Sequence, residues 1–357
     1  MLLTGLLLGA ALGYALQRSR FCVTTAFRDV FVARSTRWLT AFLLVIAVHA
    51  LGLAILQTAG VVPAPSEPLA LPATAVGALI FGVAIVLAAG CATGTYFRAG
   101  EGLVGSWIAL AAYAVSAGAM KYGPLAELTG WARSATVPAT TIHGTLGLSP
   151  WVLVVVLGAG VALLVHRNVS AAPRLAVATL PPRRTGLAHL LAERSWGAYP
   201  TAVGIGVLAT IAWPLSIATG RESGLGITTP SANLATYLVT ADPQLVDWGV
   251  FLVLGILLGS FVAAKASGEF RVRVPDATQA TRSVVGGVGM GVGASLAGGC
   301  TIGNAMVETA QFTYQGWLSF ALMLLGAGLG TRWFVLHGPR TAARTVATTS
   351  PTTTATA

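Results

Sequence analysis

The stretch L-A-A-G-C-A-T-G at residues 87–94 decides the fold, because it recurs as L-A-G-G-C-T-I-G at residues 296–303. Each copy follows an apolar run spaced by glycines, and each is followed by a tryptophan that opens another apolar run, Trp107 or Trp317. A small-residue stripe for helix packing explains other glycines, and this role is predicted for Gly5, Gly9 and Gly13 and for Gly286 and Gly293. It does not explain a G-C-x-x-G pattern at matched positions in two halves, so the chain carries an internal repeat.

A second, weaker match supports the same duplication. It sets C-V-T-T-A at Cys22 against G-I-T-T-P at Gly226, and both follow an arginine-containing turn after an apolar run. The two matches have similar separations along the chain. Each half then holds four apolar runs, with residues 151–166 as an unpaired spacer. An odd spacer turns the second half upside down in a membrane, as in transporters with inverted repeats.

Composition places the chain in the bilayer. Hydrophobic residues make up 55% of its 357 residues and charged residues only 9%, whereas a soluble domain carries about 25% charged residues. We expect an all-α membrane protein with about nine transmembrane helices plus short re-entrant helices and loops, in contact with membrane lipid. The nine apolar runs lie at about 2–17, 38–60, 74–90, 102–120, 151–166, 200–218, 246–264, 284–298 and 316–336.

The net charge of +10 does not indicate nucleic-acid binding, because the basic residues sit in short clusters between apolar runs. The clusters at 18–37, 167–194, 265–282 and 332–344 alternate with connections that are poor in Lys and Arg, at 61–72 and 219–245. This distribution predicts a periplasmic N-terminus and a cytoplasmic C-terminus in the inner membrane.

The same pattern predicts the domain organisation. Residues 1–125 form the first half and residues 199–337 the second, inverted half. Residues 126–198 hold the spacer helix and a cytoplasmic linker, and residues 338–357 form a disordered tail rich in Thr and Ala.

The chemistry is expected at the three cysteines, Cys22, Cys91 and Cys300. A buried cysteine is most often a small apolar side chain, but each of these lies in a polar or glycine-rich turn at the edge of an apolar run. With no C-x-x-C pair, a disulfide framework and a dithiol relay are disfavoured. Without an accompanying His, Met or acidic cluster, a metal site is not expected. Thiols beside backbone N–H groups suit a soft, sulphur-bearing anion.

The run R-S-R-F-C-V-T-T-A-F-R-D at Arg18–Asp29, together with the two repeated motifs, resembles the YeeE/YedE sulphur-transport family. The resemblance covers about residues 1–336. It implies uptake of thiosulfate across the bacterial inner membrane by a transporter that is not an enzyme and needs no cofactor. It also implies an hourglass-shaped protein in which thiosulfate passes along Cys22, Cys91 and Cys300 by S–H hydrogen bonds, and a separate TusA-like cytoplasmic sulphur-carrier protein as partner.

Other residues near the motifs are candidates for substrate binding. Arginines attract an anion, although orientation of the first helix by loop charge explains them equally well, and glycines allow close backbone approach. This second set comprises Arg20, Arg28, Thr24, Thr93, Gly90, Gly94, Gly299, Thr301, Gly303 and Asn304. Glu308 fits either a cavity or a polar connection, with the connection preferred. His49 is expected to be a satisfied polar residue.

Three alternatives stay open from the residues alone. The substrate of the same fold could be a selenium compound, sulfite or another sulphur anion. The protein could be a membrane sulphurtransferase with a covalent cysteine persulfide, because thiolates attack sulphur–sulphur bonds. It could also be a scaffold that anchors a soluble sulphur carrier. The sequence does not choose between covalent and hydrogen-bonded passage.

Overall fold

The computed structural model describes residues 1–171 and 185–336, which form helices joined by short turns, with no β-strand within those two ranges. The first part of the chain has six helices, of which two are short, and each short helix stands between two long ones. They are α1 (Leu2–Ser19), α2 (Val23–Val32), α3 (Arg37–Thr58), α4 (Leu71–Leu87), α5 (Ala92–Gly100) and α6 (Val104–Lys121).

The middle of the chain contributes one long helix and several short ones. These are α7 (Ala126–Ser134), α8 (Ile142–Leu146), α9 (Pro150–Ser170), α10 (Gly186–Ala188) and a π-helical turn, His189–Glu193. The predicted spacer at 151–166 is α9. It packs against α3 and buries only Val154 and Val161, so most of its apolar surface is left for lipid. Much of the predicted linker, residues 172–184, lies outside the described residues, as does the predicted tail at 338–357.

The last part of the chain repeats the order of the first. Its elements are α11 (Ala198–Ile217), α12 (Thr228–Thr240), a 3-10 turn at Pro243–Leu245, α13 (Trp248–Ala266), α14 (Ala277–Ala297), a π-helical segment at Gly303–Glu308, α15 (Tyr314–Thr331) and a π-helical turn at Arg332–Leu336. The tryptophans predicted to open the runs after the motifs, Trp107 and Trp317, lie in the first turns of α6 and α15.

Six helical stretches of the described chain are long and apolar enough to cross a membrane. They are Arg37–Thr58, Leu71–Gly100, Pro150–Ser170, Ala198–Ile217, Trp248–Ala266 and Tyr314–Leu336. The second is interrupted at residues 88–91, between α4 and α5. The other three predicted spans coincide with α1, α6 and α14, which are helical but are not among the six, so the count of nine stays a prediction.

The repeated motif breaks a helix at the same point in both parts. Helix α4 ends before Ala89, whose φ is 55°, and α14 ends before Gly298, whose φ is 82°. A left-handed residue after the last turn stops a helix and redirects the chain. In each part the cysteine follows this turn and stands immediately before a short helical segment.

Glycines bring α1 and α13 into close backbone contact. A β-carbon on Gly5, Gly9 or Gly13 would meet a backbone carbonyl of α13, and one on Gly255 or Gly259 would meet a carbonyl of α1. Lipid supplies no hydrophobic drive between helices, so such close packing is what stabilises the pair. The packing role predicted for the α1 glycines is confirmed.

The long helices of the two parts pack against one another in a reciprocal pattern. Helix α1 packs on α13 while α3 packs on α11; α4 packs on α15 while α6 packs on α14; and α4 and α14 contact each other directly. The packing role predicted for Gly286 and Gly293 is confirmed at this last contact, where their β-carbons would meet Ala88 and Phe81. The two parts therefore share one interleaved core that surrounds the motif turns.

Candidate functional site

Cys91 stands at the start of α5 with its thiol turned back onto the helix. It is the N-cap residue, and its sulphur accepts a hydrogen bond from the Gly94 N–H at 3.4 Å. The side chain is buried. Helix N-termini present unpaired N–H groups and the positive end of the helix dipole, so the turn that holds Cys91 favours negative charge.

Cys22 occupies the corresponding place at the start of α2 and is equally buried. The backbone N–H groups of Thr25 and Cys91 approach its thiol. A β-carbon on Gly94 would lie 2.9 Å from the Cys22 sulphur and 3.4 Å from the Cys91 sulphur. Both thiols thus face one point, and we call them the Cys22–Cys91 pair.

Polar groups of the second candidate set surround this pair. The hydroxyls of Thr24 and Thr93 are buried and have no hydrogen-bond partner in the described part of the chain. Gly90 faces the guanidinium of Arg98, and Arg98 also acts electrostatically on the Cys22 thiol. The pair therefore has an unused hydroxyl on each side and a nearby cation, which the sequence analysis did not single out.

The two candidate arginines near Cys22 are engaged elsewhere. Arg20 forms ion pairs with Glu101 at 2.6 Å and with Glu269 at 2.8 Å, and its side chain is 53% exposed. Arg28 lies 3.9 Å from the neighbouring Asp29 and is 43% exposed. Two carboxylates offset the charge of Arg20, and these ion pairs connect the end of α1 with the end of α5 and with the loop after α13.

Cys300 is buried but borders a cavity of about 410 Å³, which we call the Cys300 cavity. The connection 63–69 lines it on one side and residues 221–229 on the other. Cys91 and Cys22 are not among its lining residues. The repeat thus places its two motif cysteines in different surroundings, one in a roomy cavity and one in a thiol pair.

Asn304 holds the second motif in shape. Its amide nitrogen donates to the carbonyls of Ala297 at 2.8 Å and Gly299 at 3.2 Å, and its oxygen accepts from Gln315 at 3.0 Å. Gly299 packs against this side chain. With these hydrogen bonds satisfied, Asn304 acts on the motif backbone rather than as a free donor.

Gly303 and Thr301, the other two candidates of the second motif, have different surroundings. A β-carbon on Gly303 would meet nothing within 4 Å, and this glycine lines the Cys300 cavity. The Thr301 hydroxyl is buried and has no partner within the described residues.

Tyrosines link Cys300 to the start of α12. The Tyr113 hydroxyl lies within range of the Cys300 thiol and donates to Thr228 Oγ1 at 2.8 Å. Tyr96, one turn after Cys91, interacts electrostatically with Cys300 and shares a 2.8 Å hydrogen bond with Ser231. Thr228 and Thr229, at the start of α12, also line the Cys300 cavity.

A second, much smaller cavity of about 20 Å³ borders Cys91 and Thr93. Its other lining residues are apolar, and they include Leu225, Ile302 and Met306. Leu225 also lines the Cys300 cavity, so this side chain borders both cavities.

Charged residues of the Cys300 cavity were largely missed from the sequence. Its lining includes Arg221 together with Glu67, Glu222 and Glu308. Glu308 belongs to the π-helical segment and borders the cavity. The preference for a polar connection was therefore wrong, and the cavity alternative describes this residue. Burial raises the pKa of its carboxyl, and so does the charge of Glu67. One sequence feature could have identified Arg221 as a site residue. It lies in the turn before Gly226, and this turn matches the arginine-containing turn before Cys22 in the first half.

Two other expectations concern residues away from the thiols. His49 is buried, and its Nε2 accepts a 3.2 Å hydrogen bond from Trp213. Its Nδ1 has no partner in the described part of the chain, so the expected satisfied polar residue is confirmed at only one ring nitrogen. In the described ranges, no three His, Cys, Asp or Glu side chains gather as metal ligands would.

Comparison with known proteins identifies the family. The family model described as sulphur transport matches residues 18–329, a range that contains all three cysteines. The chain belongs to this sulphur-transport family.

Curated relatives carry the same assignment. The thiosulfate transporter TsuA of Escherichia coli (strain K12) is 48% identical over 96% of this chain and 97% of its own length. TsuA of Spirochaeta thermophila is 31% identical over 91% of this chain and 97% of its own length. A probable transporter, YedE of Escherichia coli, is 38% identical over 29% of this chain and 25% of its own length. These relatives are transporters, so the family's role is transport and not catalysis.

Proposed function

We propose that this protein takes up thiosulfate into the cytoplasm and relays the anion from Cys300 to Cys91 and Cys22 by non-covalent S–H hydrogen bonds. The observation that carries the proposal is the arrangement of the thiols. One borders a large cavity, two face a common point, and Leu225 borders both the large cavity and the small cavity beside Cys91. The names of the two long relatives supply the substrate.

Thiols suit this task because conduction needs release as well as capture. An S–H group is a weak donor, so it can bind the soft terminal sulphur of thiosulfate and let it go. The sulfonate end requires stronger donors. The free N–H groups at the starts of α2 and α5, with Arg98 nearby, provide them beside the Cys22–Cys91 pair.

The proposed transporter consists of two inverted halves that span the membrane nine times. The repeated order of long and short helices and the reciprocal packing of the two parts support this plan. Within it, α1–α6 belong to the half at 1–125 and α11–α15 to the half at 199–337, with α9 as the spacer that inverts the second half. The short helices α2, α5 and α12 and the segment Gly303–Glu308 are the proposed re-entrant elements, whose starts meet near the thiols.

We place the protein in the inner membrane with a periplasmic N-terminus and a cytoplasmic C-terminus. The cluster of Arg20, Glu101 and Glu269 lies at the basic, cytoplasmic end of the route, and the connections 63–69 and 221–229 at the opposite, periplasmic end. The Cys300 cavity then receives the anion and the Cys22–Cys91 pair delivers it. A separate TusA-like sulphur carrier is the proposed cytoplasmic acceptor.

Uptake into bacteria lacking other thiosulfate importers tests the proposal. Cells that express the protein are expected to accumulate radiosulphur from labelled thiosulfate, and Cys22→Ala, Cys91→Ala and Cys300→Ala are each expected to abolish accumulation. Uptake of selenite without thiosulfate would instead identify a selenium transporter. Growth on thiosulfate that survives all three substitutions would identify a scaffold, and a persulfide found by mass spectrometry would identify a sulphurtransferase.

A further inference from the structure

Arg221 is an arginine inside the Cys300 cavity with unused hydrogen-bonding capacity. Its side chain is 15% exposed. One terminal nitrogen, Nη1, is buried against Gly249 without a hydrogen-bond partner in residues 1–171 and 185–336. The other, Nη2, lies beside Gly226, which lines the cavity. An unsatisfied charged donor is costly when buried, so the guanidinium favours a bound anion, and Nη2 is the nitrogen placed at the cavity.

The carboxylate near Arg221 does not satisfy it. Asp247 Oδ2 is 3.8 Å from Nε, too far for a hydrogen bond. The other oxygen of Asp247 accepts from the Val250 N–H at 3.0 Å and so caps α13. Asp247 therefore offsets part of the charge of Arg221 but forms no hydrogen bond with its Nε.

The repeat explains why an arginine fits at this place. Gly226 stands where the first half has Cys22, and it has no side chain. The Arg221 Nη2 atom lies 3.2 Å from the position that a β-carbon of Gly226 would take. The second half thus exchanges the thiol of the first half for a guanidinium beside the start of a short helix, here α12.

Other charges around the cavity do not cancel this one. Glu67 and Glu222 are exposed at its edge, where water screens them. Glu308 is deeper, and burial favours its neutral form. Lys121 is exposed, but it donates to Thr229 Oγ1 at 3.1 Å and adds positive charge beside Arg221.

We propose that Arg221 selects the oxyanion at the entry of the route. Nη2 of its guanidinium binds a sulfonate oxygen of thiosulfate while the terminal sulphur faces the Cys300 thiol. This inference rests on the proposed function and names the residue that recognises the charged end of the substrate. A guanidinium holds its N–H donors in a fixed plane, whereas the ammonium of a lysine is a point charge on a flexible chain. The Cys300 thiol alone would not distinguish thiosulfate from a neutral thiol-binding solute.

Binding of thiosulfate to the purified protein, measured by calorimetry, tests the role of Arg221. The Arg221→Gln variant is expected to weaken binding roughly 10- to 100-fold, the loss of one or two charged hydrogen bonds. Arg221→Lys is expected to recover only part of that loss. In uptake assays Arg221→Gln should raise KM far more than it lowers the maximal rate, because the residue acts at entry.

Two control variants separate recognition from simpler explanations. Lys121→Gln removes the same charge from the same region without opening the guanidinium site, and is expected to change the dissociation constant less than twofold. Asp247→Asn keeps the helix cap and removes the counter-charge, so binding should stay equal or tighten. Thermal unfolding without thiosulfate checks that each variant is folded.

Defined results would overturn the inference. Arg221→Gln binding within twofold of the unsubstituted protein would show that Arg221 does not contact the anion. An equal loss of affinity in Lys121→Gln would show that only the net positive charge of the region matters. An equal loss of affinity in Asp247→Asn would show that Arg221 acts through its ion pair with Asp247 and not by contact with the anion. In all these cases the unsubstituted protein still binds thiosulfate. Failure of the unsubstituted protein to bind or take up thiosulfate would instead overturn the proposed function.

Discussion

At the scale of single residues, Gly94 is the position that most directly reports on the Cys22–Cys91 pair. Both sulphur atoms lie close to the space that a β-carbon would occupy there. Gly94→Ala is therefore expected to displace the Cys22 thiol and to reduce thiosulfate uptake at least tenfold. Alanine favours a helix, so the fold should survive.

Gly303, the equivalent residue of the second motif, supplies the matched control. A β-carbon there meets nothing within 4 Å. Gly303→Ala should keep uptake close to that of the unsubstituted protein. Equal uptake by both variants, with normal expression and elution in size-exclusion chromatography, would show that the geometry of the pair does not matter.

The sequence identified the cysteines but not their pairing. The repeat made Cys91 and Cys300 equivalent, whereas the structure joins Cys91 to Cys22 and leaves Cys300 with Arg221, Tyr113 and open space. Sequence equivalence follows from duplication, but neighbours depend on how the two parts interleave. Arg221 escaped prediction for the same reason, since its relation to Cys300 crosses from one loop to another.

At the scale of helices, the turn after α4 contains a residue with a strained backbone, whereas the equivalent position after α14 is a glycine. Ala89 has a φ of 55°, and its counterpart Gly298 has a φ of 82°. A residue with a β-carbon pays roughly 1–2 kcal/mol to adopt this left-handed conformation. Replacing it by glycine removes that cost, but glycine loses more conformational entropy on folding, so the net gain in stability is smaller. Ala89→Gly is expected to stabilise the protein by up to about 1 kcal/mol, seen as a higher midpoint of thermal unfolding in detergent.

The reverse change provides the control. Gly298→Ala is expected to lower the midpoint, because it adds the left-handed strain and sets a β-carbon 2.6 Å from the Arg133 guanidinium. If Ala89→Gly left the midpoint unchanged or lowered it, the turn would not be strained.

The contact between α1 and α13 gives a second prediction at this scale. A β-carbon at Gly9 would collide with the Leu252 carbonyl, a backbone atom that cannot turn aside. Gly9→Ala is expected to destabilise the protein by about 1–3 kcal/mol through overpacking. Gly158→Ala on α9 meets nothing within 4 Å and should be neutral or mildly stabilising. Equal midpoints for the two variants would contradict the close packing.

Helix positions were predictable because long apolar runs have few alternatives in a bilayer. Every predicted run coincides with a long helix, and the ends differ by a few residues. The short helices were harder to predict. Helix α2 mixes Thr, Arg and Asp with apolar residues, so it contains no apolar run long enough to predict a helix. Only the motif around Cys22 drew attention to this segment.

At the scale of the whole molecule, the orientation can be tested by thiol labelling. In a background without the three native cysteines, Ser66→Cys in the connection 63–69 and Ala277→Cys at the start of α14 place exposed thiols at opposite ends. Ser66→Cys is expected to react with a membrane-impermeant maleimide in spheroplasts, and Ala277→Cys only after permeabilisation. The opposite pattern would reverse the proposed topology and, with it, the order of the thiols along the route.

The relay that we propose passes an intact anion along the thiols. A covalent route would attack the terminal sulphur of thiosulfate, leave a persulfide on the cysteine and release sulfite on the side of entry. A hydrogen-bonded route keeps both sulphur atoms together. The two routes therefore differ in which sulphur atom crosses the membrane.

The most direct measurement is uptake into proteoliposomes of thiosulfate labelled with radiosulphur at either the terminal or the central atom. We predict that both labels enter at the same rate and that Cys300→Ala abolishes entry of both, while Gly303→Ala does not. Entry of the terminal label alone, with the central label left outside as sulfite, would contradict the non-covalent relay. Equal entry of both labels in all three Cys→Ala variants would contradict any role for the cysteines.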